Sequence, residues 1–391
     1  MAPKQVHLVF FDSHERAQLL PLTYLRSTAD LMVGMRTIKD KWLDHFVQGH
    51  SVLTQDYLQD LYPVADIDED QMCIYINGAC LPDADLIAMI KALKPGESLK
   101  SGDQLIALKA PMKQGVTLGD VLQLFDESQT QQTPATLINY PEDILNHSRS
   151  EFLKDYVTKT NGKTSAALDP SSKHRGEDLF IGANTKIYDA IINTEEGAVY
   201  IDDDVEIMEN AVIKGPVYIG RGTKIHVSAK VYADTMLGEQ CRIGGEIKRT
   251  TIFGYSNKAH DGYLGDSVLA KWCNLGADTN NSNLKNTYGL VSLWDASANA
   301  YRTTDRNFLG MILADHTMAA INTSFNTGTV TGIFSNILNR TPDRFVPSFS
   351  WGHEAKYNVD KAISVAKTVL DRRSLQMSVA YESAIRYLAS L

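Results

Sequence analysis

The chain is poor in the features that define several protein classes. Only four of its 391 residues are cysteine, and no pair shows C-x-x-C spacing, which argues against a zinc knuckle and a disulfide framework. No segment approaches the roughly 20 consecutive apolar residues of a membrane span, and the apolar run near the N-terminus is too short for a signal peptide. We therefore expect a cytoplasmic protein with reduced thiols and no membrane partner.

A basic excess is also missing. Lys and Arg number 38 against 47 Asp and Glu, which gives a formal net charge of -9. Because nucleic-acid binding relies on cations that neutralise phosphates, this balance argues against a nucleic-acid partner. Hydrophobic residues make up 43% of the chain, which is enough for well-formed cores, and the length favours two domains.

What the sequence does contain is a six-residue repeat. Aliphatic residues occupy eight positions spaced six apart: Ile201, Ile207, Ile213, Ile219, Ile225, Val231, Leu237 and Ile243. Small or medium residues follow each of them by four: Val205, Ala211, Val217, Thr223, Ala229, Thr235, Cys241 and Ile247. This period fits neither a helix nor a single strand. It is typical of a parallel β-helix, in which each coil of about 18 residues has three short strands and stacks its aliphatic side chains inside.

The repeat places the domain boundaries. A β-helix domain is predicted at 178–345, with an interruption at about 279–307 where the register breaks. From Val359 onward, apolar residues recur mostly at intervals of three and four, which predicts two helices that cap the end of the prism. These helices lie in a predicted C-terminal helical segment, 346–391.

Residues 1–150 have no six-residue period. "HLVFF" and "MCIYING" are typical of buried strands, whereas "DYLQDLYPVA" and "DADLIAMIKALKPG" are typical of helices. Alternating strands and helices predict a small α/β domain with a partly parallel sheet. Residues 151–177 are rich in Ser, Thr, Lys and Gly and lack periodicity, which predicts a linker.

A longer set of matches lies in "GEIKRTTIFGYSNKAHDGYLGDSVLAKWCNLGADTNNSNLKN", residues 245–286. This segment resembles the acetyltransferase site of the GlmU-like family, the bifunctional enzymes that make UDP-N-acetylglucosamine. The family's E-M-K-K, A-G-H-x-x-Y-L-G-D and N-I-G-A-G-T motifs and a later Asn are matched in order, although the Gly before the His is missing. The matching residues are Glu246 to Arg249, Ala259 and His260 with Tyr263 to Asp266, Asn274 to Ala277 with Thr279, and Asn283. "PLTYLRSTADL" and "FNTGTVTG" resemble a lineage of the family with a shortened, altered nucleotidyltransferase-like first domain.

The resemblance implies a left-handed β-helix and an acetyl-CoA-dependent N-acetyltransferase that acts on an amino sugar phosphate, glucosamine 1-phosphate. His260 would be the general base, because a protonated amine cannot attack a thioester and the ordinary pKa of histidine suits the removal of that proton. The resemblance also implies a homotrimer, since the flat wall of a prism leaves an open site that a neighbouring subunit completes.

The other implied roles concern the sugar phosphate and the cofactor. The phosphate would be held by Lys248 with help from the Tyr263 hydroxyl. Sugar hydroxyls, the amine or the thioester carbonyl would be bound by Glu246, Asn274 and Asn283. Close approach of acetyl-CoA would involve Ala277, Asn283, Ala319 and Gly328. Each residue also has a structural explanation. Lys248 and Tyr263 would be a solvated Lys and a packed aromatic, Glu246, Asn274 and Asn283 would belong to the Asn stacking at β-helix corners, and the small residues would suit tight corners.

Two phosphate-binding positions of the family are left open by the alignment. The family's upstream Arg is matched by three candidates, Lys224, Lys230 and Arg242, and spacing does not choose between them. Lys285 stands near the family's second phosphate-binding Lys, but the segment after Asn283 is longer here.

The first domain lacks the loop that nucleotidyltransferases of the family use. That loop reads G-G-x-G-T-R-x-x-P-L-T, and its glycines let backbone N–H groups close on phosphates. Here "VFFDSHERAQLLPLT" keeps only Pro21 to Thr23 of it. Ala79 stands where an Asp would hold Mg²⁺, and alanine cannot bind a metal. We predict no metal site, and we predict Mg²⁺ and UTP or another nucleotide as ligands only if this domain is active.

Three functions therefore remain open. The first is the N-acetyltransferase, the second a bifunctional enzyme that also acts as a sugar-1-phosphate nucleotidyltransferase (uridylyltransferase), and the third a non-catalytic sugar-nucleotide-binding or scaffold protein. The first domain also contains a dense set of charged residues, which would form either a different ligand site or solvated helix faces. These residues are Arg16, Arg26, Asp30, Arg36 and Lys41.

Overall fold

Two architectures follow one another along the chain, connected through a long helix. The computed structural model describes residues 7–46, 49–65, 71–113, 115–353 and 355–391. These residues form an α/β domain, a three-sided parallel β-helix and two C-terminal helices. The predicted fold class is confirmed, and the left-handed sense of the β-helix continues to rest on the resemblance.

The α/β domain contains a six-stranded mixed sheet. Its strands, in spatial order, are His50–Leu53, His7–Phe11, Met72–Asn77, Gln104–Pro111, Glu97–Ser101 and Gln129–Gln132. The first three are parallel, which confirms the partly parallel sheet, and both strands expected from the sequence are present. Along "HLVFF", Leu8 and Phe10 enter one core and Val9 and Phe11 the other, because successive side chains point to opposite faces of a sheet. The helices of this region are Ile38–Leu43, Asp56–Gln59, Ala84–Ala92, Leu118–Asp126 and Asp143–Thr160.

The β-helix has three sheets, which we call faces 1, 2 and 3. Face 1 contains Lys173–Arg175, Ile191–Asn193, Val212–Lys214, Lys230–Val231, Glu246–Lys248 and Tyr263–Gly265. Face 2 contains Leu179–Ile181, Val199–Ile201, Val217–Ile219, Thr235–Leu237, Thr251–Ile252, Val268–Leu269, Met311–Leu313, Thr329–Thr331 and Phe345–Val346. Face 3 contains Lys186–Ile187, Glu206–Ile207, Lys224–Ile225, Arg242–Ile243, Asn257–Lys258, Asn274–Leu275, Met318–Ala319, Asn336–Ile337, Ser350–Trp351 and Ala355–Lys356.

The six-residue repeat forms the core of this β-helix. Successive aliphatic residues fall on faces 2, 3 and 1 in turn, as Ile201, Ile207 and Ile213 do, and all eight of them are at most 1% exposed. The second register is equally buried and fills the space between them. Burying one such aliphatic side chain stabilises a fold by about 1.5–3 kcal/mol. The stacked coils are therefore held together mainly from inside.

The boundary between the two domains differs from the predicted one. The long helix Asp143–Thr160 continues ten residues into the predicted linker 151–177. Its polar sequence resembles a linker because two carboxylates serve as buried ion-pair partners: the Lys41 ammonium lies 2.6 Å from Asp155 and 3.1 Å from Glu151. The β-helix begins earlier than residue 178, with the strand Lys173–Arg175, since that strand pairs with the next coil.

The α/β domain packs against face 2 of the β-helix. Outward-pointing apolar side chains of that face belong to the same buried cluster as the first-domain core: Phe180, Tyr200, Tyr218, Met236 and Phe253. The predicted interruption contains a hairpin, Ser292–Asp295 with Ala300–Thr303. Arg302 on this hairpin pairs with Glu142 of the first domain at 2.6 Å. Both contacts tie the two domains together.

The two predicted C-terminal helices are present as Val359–Asp371 and Val379–Ser390. They do not simply cap the last coil. They share a buried cluster with Phe334 and Phe349 at the β-helix corner, and Tyr387 stacks on Tyr57 of the first domain at 4.7 Å. The reason is an apolar surface along the side of the prism, which the helices cover.

Among the described residues, no helix is long and apolar enough to cross a bilayer. The four cysteines are buried and unpaired.

Candidate active site on the β-helix

Three of the predicted substrate residues share face 1. Glu246 and Lys248 point outward on either side of the inward Ile247, because side chains alternate along a strand. Tyr263 lies opposite Glu246 in the next coil. A side chain at Gly265 would collide with the Tyr263 hydroxyl, so this glycine allows the tyrosine ring to lie along the face. The fold thus brings an acid, a cation and a phenol together.

Asn283 joins this group from the start of the inserted segment. Its amide donates hydrogen bonds to the Tyr263 hydroxyl at 2.9 Å and to Asp266 at 2.6 Å. Asp266 is fully buried and accepts two further bonds from Arg249, at 2.7 and 2.9 Å. Burial, and next the Asp266 charge, raises the pKa of Tyr263, which keeps the phenol protonated and able to donate. The network orders one edge of the site.

His260 lies at the corner between faces 3 and 1. It follows the strand Asn257–Lys258 and precedes the strand Tyr263–Gly265, and its side chain is exposed. Gly262 allows the tight return, with φ at 112° and no room for a side chain beside the Thr279 carbonyl. No hydrogen bond or ion pair joins the imidazole to any described residue. The ring is therefore exposed at this corner and available to a ligand.

A cavity of about 710 Å³ opens beside His260 on face 3. The strands of the β-helix form one wall, and the end of the first C-terminal helix forms the other. Five basic side chains line it, and no Asp or Glu does so among the residues that the structure describes. The five are His226, Arg242, His260, Arg372 and Arg373. In a chain with a net charge of -9, this surface selects for anions.

The cations in this cavity act on one another. Burial and then the neighbouring Arg373 lower the pKa of Arg242, while burial and then Arg242 and His260 lower the pKa of His226. Glu206 acts on both groups in the opposite direction, but the lowering prevails, and such a cluster of cations marks a place where an anionic ligand would be stabilised.

The structure places the predicted cofactor residues in different regions. Asn274 and Ala277 line the cavity beside His260. Ala319 does not, because its side chain points into the β-helix core and is 6% exposed. Gly328 packs where any side chain would meet the Ser292 carbonyl, at the inserted hairpin, and it is absent from the described residues around the cavity. The face-1 residues and the cavity are two regions that meet at His260.

Three residues are candidates for the position of the family's upstream phosphate-binding Arg, and strand register places one of them beside the face-1 residues. Lys230 lies on face 1 directly opposite Glu246, in the preceding coil. Lys224 is on face 3 and pairs with Glu206 at 2.5 Å, and Arg242 faces the cavity instead. Lys285 donates to the Leu290 carbonyl at 2.6 Å within the inserted segment. Only Lys230 thus lies beside Glu246 and Lys248.

Other residues near the site gave no signal in the sequence. Arg372 and Arg373 are far from the matched segment and reach the cavity only through the packing of the C-terminal helix. Lys258 resembles any solvated lysine in the sequence, yet it is 1% exposed and lies inside the prism. The coil register could have indicated that Lys258 is buried, since it assigns this position to the interior of the prism.

The segment of the first domain that matches the family's phosphate loop contains a buried carboxylate. Asp12 follows the strand His7–Phe11, and its buried carboxylate accepts hydrogen bonds from Thr28 and from Thr54, each at 2.5 Å for the hydroxyl. The Arg16 guanidinium lies 3.2 Å from the same carboxylate. A carboxylate repels phosphate, so this segment does not favour a phosphate group.

The charges that the sequence singled out in this domain are paired in the same way. The ion pairs are Arg16 with Asp12, Arg26 with Asp315, Asp30 with Lys39, Arg36 with Asp44 and Asp155, and Lys41 with Glu151 and Asp155. They are mostly buried, so solvated helix faces do not describe them, and Arg26, Asp30 and Arg36 line a cavity between the two domains. A cavity of about 780 Å³ between the two domains is lined by both signs of charge and shows no preference for either. Among the described residues, no three His, Cys, Asp or Glu side chains cluster as a metal site.

Fold and site together define a hexapeptide-repeat β-helix protein fused to an α/β domain. Residues 8–164 match the family model of a sugar nucleotidyl transferase. The bifunctional protein GlmU of Clostridium beijerinckii is 28% identical over 177 residues, which are 39% of this chain and 38% of that protein. The GlmU of a Picosynechococcus species is 37% identical over 123 residues, 31% of this chain and 22% of that protein. The chain is similar to GlmU over the matched residues, and it spans less than half the length of these relatives.

The chain also matches the solved structure of a single-site mutant of perosamine N-acetyltransferase from Caulobacter crescentus, in complex with CoA and GDP-perosamine. It covers 88% of this chain and 91% of its own at 10% identity, with a TM-score of 0.13. Because that score is low, the β-helix assignment relies on the strand pairing described above.

Proposed function

We propose that this protein is an acetyl-CoA-dependent N-acetyltransferase of an amino sugar phosphate, glucosamine 1-phosphate, in the cytoplasm. The supporting observation is the position of His260, an exposed and unpaired imidazole where a cation-lined cavity meets a face that carries Glu246, Lys248 and Tyr263. One region suits the phosphates of the cofactor and the other a phosphorylated sugar. The test is acetylation of glucosamine 1-phosphate by the purified chain.

In the proposed reaction His260 is the general base. The ammonium group of the sugar first releases one proton to bulk water, and the neutral nitrogen then attacks the thioester carbonyl carbon. As the C–N bond forms, His260 takes a second proton from the nitrogen. The C–S bond then breaks, and that proton passes to the thiolate of CoA. Products are the N-acetylated sugar phosphate and CoA.

The sugar phosphate would bind on face 1. Lys230 and Lys248 supply positive charge at neighbouring positions, and the Tyr263 hydroxyl supplies a donor held in place by Asn283. Glu246 lies between them and suits a sugar hydroxyl or the amine. A neighbouring copy in a homotrimer would complete this open face, as the resemblance implies. Light scattering of the purified chain tests that part, and a fully active monomer would contradict it.

Acetyl-CoA would place its phosphates against Arg242, Arg372 and Arg373. We expect Arg372→Gln/Arg373→Gln to raise the Kd of acetyl-CoA about tenfold, because charge-assisted bonds to phosphate are lost. The loss should shrink at high salt. Calorimetric titration measures both effects.

The matched control is Lys361→Gln, which removes a cation from the same helix but away from the cavity. Its Kd should equal that of the wild type. Equal affinity in the double variant would place the cofactor elsewhere, and failure of the wild type to bind acetyl-CoA would favour the scaffold function.

For the first domain we propose a structural role, although its family model supports nucleotidyl transfer. The Asp12 carboxylate lies in the segment that matches the family's phosphate loop and repels phosphate, and Ala79 offers no ligand for Mg²⁺. We expect no pyrophosphate release from UTP, Mg²⁺ and N-acetylglucosamine 1-phosphate above a protein-free blank. Release above that blank would establish the bifunctional alternative instead.

A further inference from the structure

Lys258 occupies a position that is aliphatic in the neighbouring coils. Strand pairing places it opposite Ile243 of the preceding coil, and Leu275 follows in the next. Both of those residues are buried in the β-helix core. Lys258 is 1% exposed, so a lysine side chain is enclosed among apolar neighbours. A lysine is rarely buried without a specific partner.

The partners of this ammonium group are two backbone carbonyls at the His260 corner. The Lys258 amine donates to the carbonyl of Asp261 at 2.7 Å and to the carbonyl of His260 itself. The next residue, Gly262, has the left-handed φ of 112°. The chain therefore turns with two carbonyls directed inward, and the lysine is what satisfies them.

Burial disfavours the charge on this lysine. It lowers the pKa of Lys258 to about 8, while Asp261 and Asp278 act in the opposite direction. A hydrophobic residue would avoid this cost but would leave both carbonyls without a donor.

We propose that Lys258 is a positioning residue for His260, holding the backbone of the base from inside the prism. This inference rests on the proposed role of His260 as the general base. The exposed imidazole has no side-chain partner among the described residues to fix it, so its place relative to the substrates on face 1 and in the cavity depends on the backbone of residues 260–262. The two hydrogen bonds of Lys258 restrain that backbone.

The first test is Lys258→Met, which keeps the unbranched apolar stem and removes the donors. We expect kcat for acetyl transfer to fall about 100-fold, because misplacement of a catalytic group by about 1 Å has an effect of that size. The KM values of both substrates should stay within about twofold, since their contacts are intact. Lys258→Gln retains an amide donor and should lose only about tenfold in kcat.

The matched control is Ile243→Met, the same replacement at the same interior position one coil earlier. Its kcat should stay within about threefold of the wild type. A general packing defect would affect both Met variants alike, together with KM, and would overturn the proposal. Wild-type kcat in Lys258→Met would overturn it as well.

A second readout does not depend on activity. The ring 13C–1H NMR signal of His260, assigned by its absence in His260→Ala, should shift and broaden in Lys258→Met and stay in place in Ile243→Met. An unchanged signal in Lys258→Met would contradict positioning. If the wild type acetylates no amino sugar phosphate, the proposed function fails, while this measurement still decides whether Lys258 orders the corner. If Lys258→Met does not fold, Lys258→Gln is compared with Ile243→Met in both assays by the same criteria.

Discussion

His260→Ala is expected to lower kcat for acetyl transfer about 10³-fold, within the range that a general base contributes. The fold should survive, since the side chain is exposed and no hydrogen bond or ion pair joins it to the described residues. An unchanged melting temperature therefore accompanies the loss. Steady-state kinetics with acetyl-CoA and glucosamine 1-phosphate, at saturating concentrations of both, measure the effect on the chemical step.

The control is His226→Ala, which removes the other imidazole that lines the same cavity. Its position on the face-3 side, away from Lys248 and Tyr263, predicts a loss of less than about tenfold in kcat, below the range for a general base. Comparable losses in both variants would point to a general change of the cavity. Full activity in His260→Ala would exclude the histidine as the base.

Arg26→Met is expected to reduce the free energy of unfolding by about 3–5 kcal/mol, the usual cost of leaving one member of a buried ion pair alone. Arg26 and Asp315 are 6% and 0% exposed, and they join the first domain to the β-helix. The guanidinium also lies 5.3 Å from the ring of Phe253. Urea unfolding of the variant and the wild type measures the difference.

Two variants show whether the buried charge is the cause. Arg26→Met/Asp315→Asn removes the charge from both sides and keeps an acceptor for the Lys271 amide, which donates to Asp315 at 3.2 Å, so much of the lost stability should return. Arg386→Met breaks the exposed pairs with Asp360 and Glu382 and should hardly change the urea midpoint. A loss in Arg26→Met as small as that in Arg386→Met would show that the interdomain pair contributes little.

The six-residue repeat was sufficient to predict the β-helix because it reflects one geometric requirement. Most inward positions must be apolar, so Ile201, Ile207 and their successors record the coils directly. The long helix was harder to recognise, since Glu151 and Asp155 are buried as ion pairs and give its sequence the polar character of a linker. Local composition does not show that a charged side chain is buried in an ion pair with a residue distant in the sequence.

The sequence likewise predicts one part of the candidate site and not the other. Glu246, Lys248 and Tyr263 come together because coils stack in register, which the spacing already contains. The cavity beside His260 depends on where the C-terminal helix packs, and that packing brings Arg372 and Arg373, distant in the sequence, to face it. Lys258 shows a third case, in which a polar residue occupies an interior position for the sake of two carbonyls.

The most direct test of this account is to incubate the purified wild-type chain with acetyl-CoA and glucosamine 1-phosphate and to measure CoA thiol release together with the mass of the sugar product. An N-acetyltransferase with His260 as its base should form equal amounts of CoA and N-acetylglucosamine 1-phosphate, at a rate that falls about 10³-fold in His260→Ala. Absence of acetylated product from any amino sugar phosphate, or an equal rate in the variant, would contradict it.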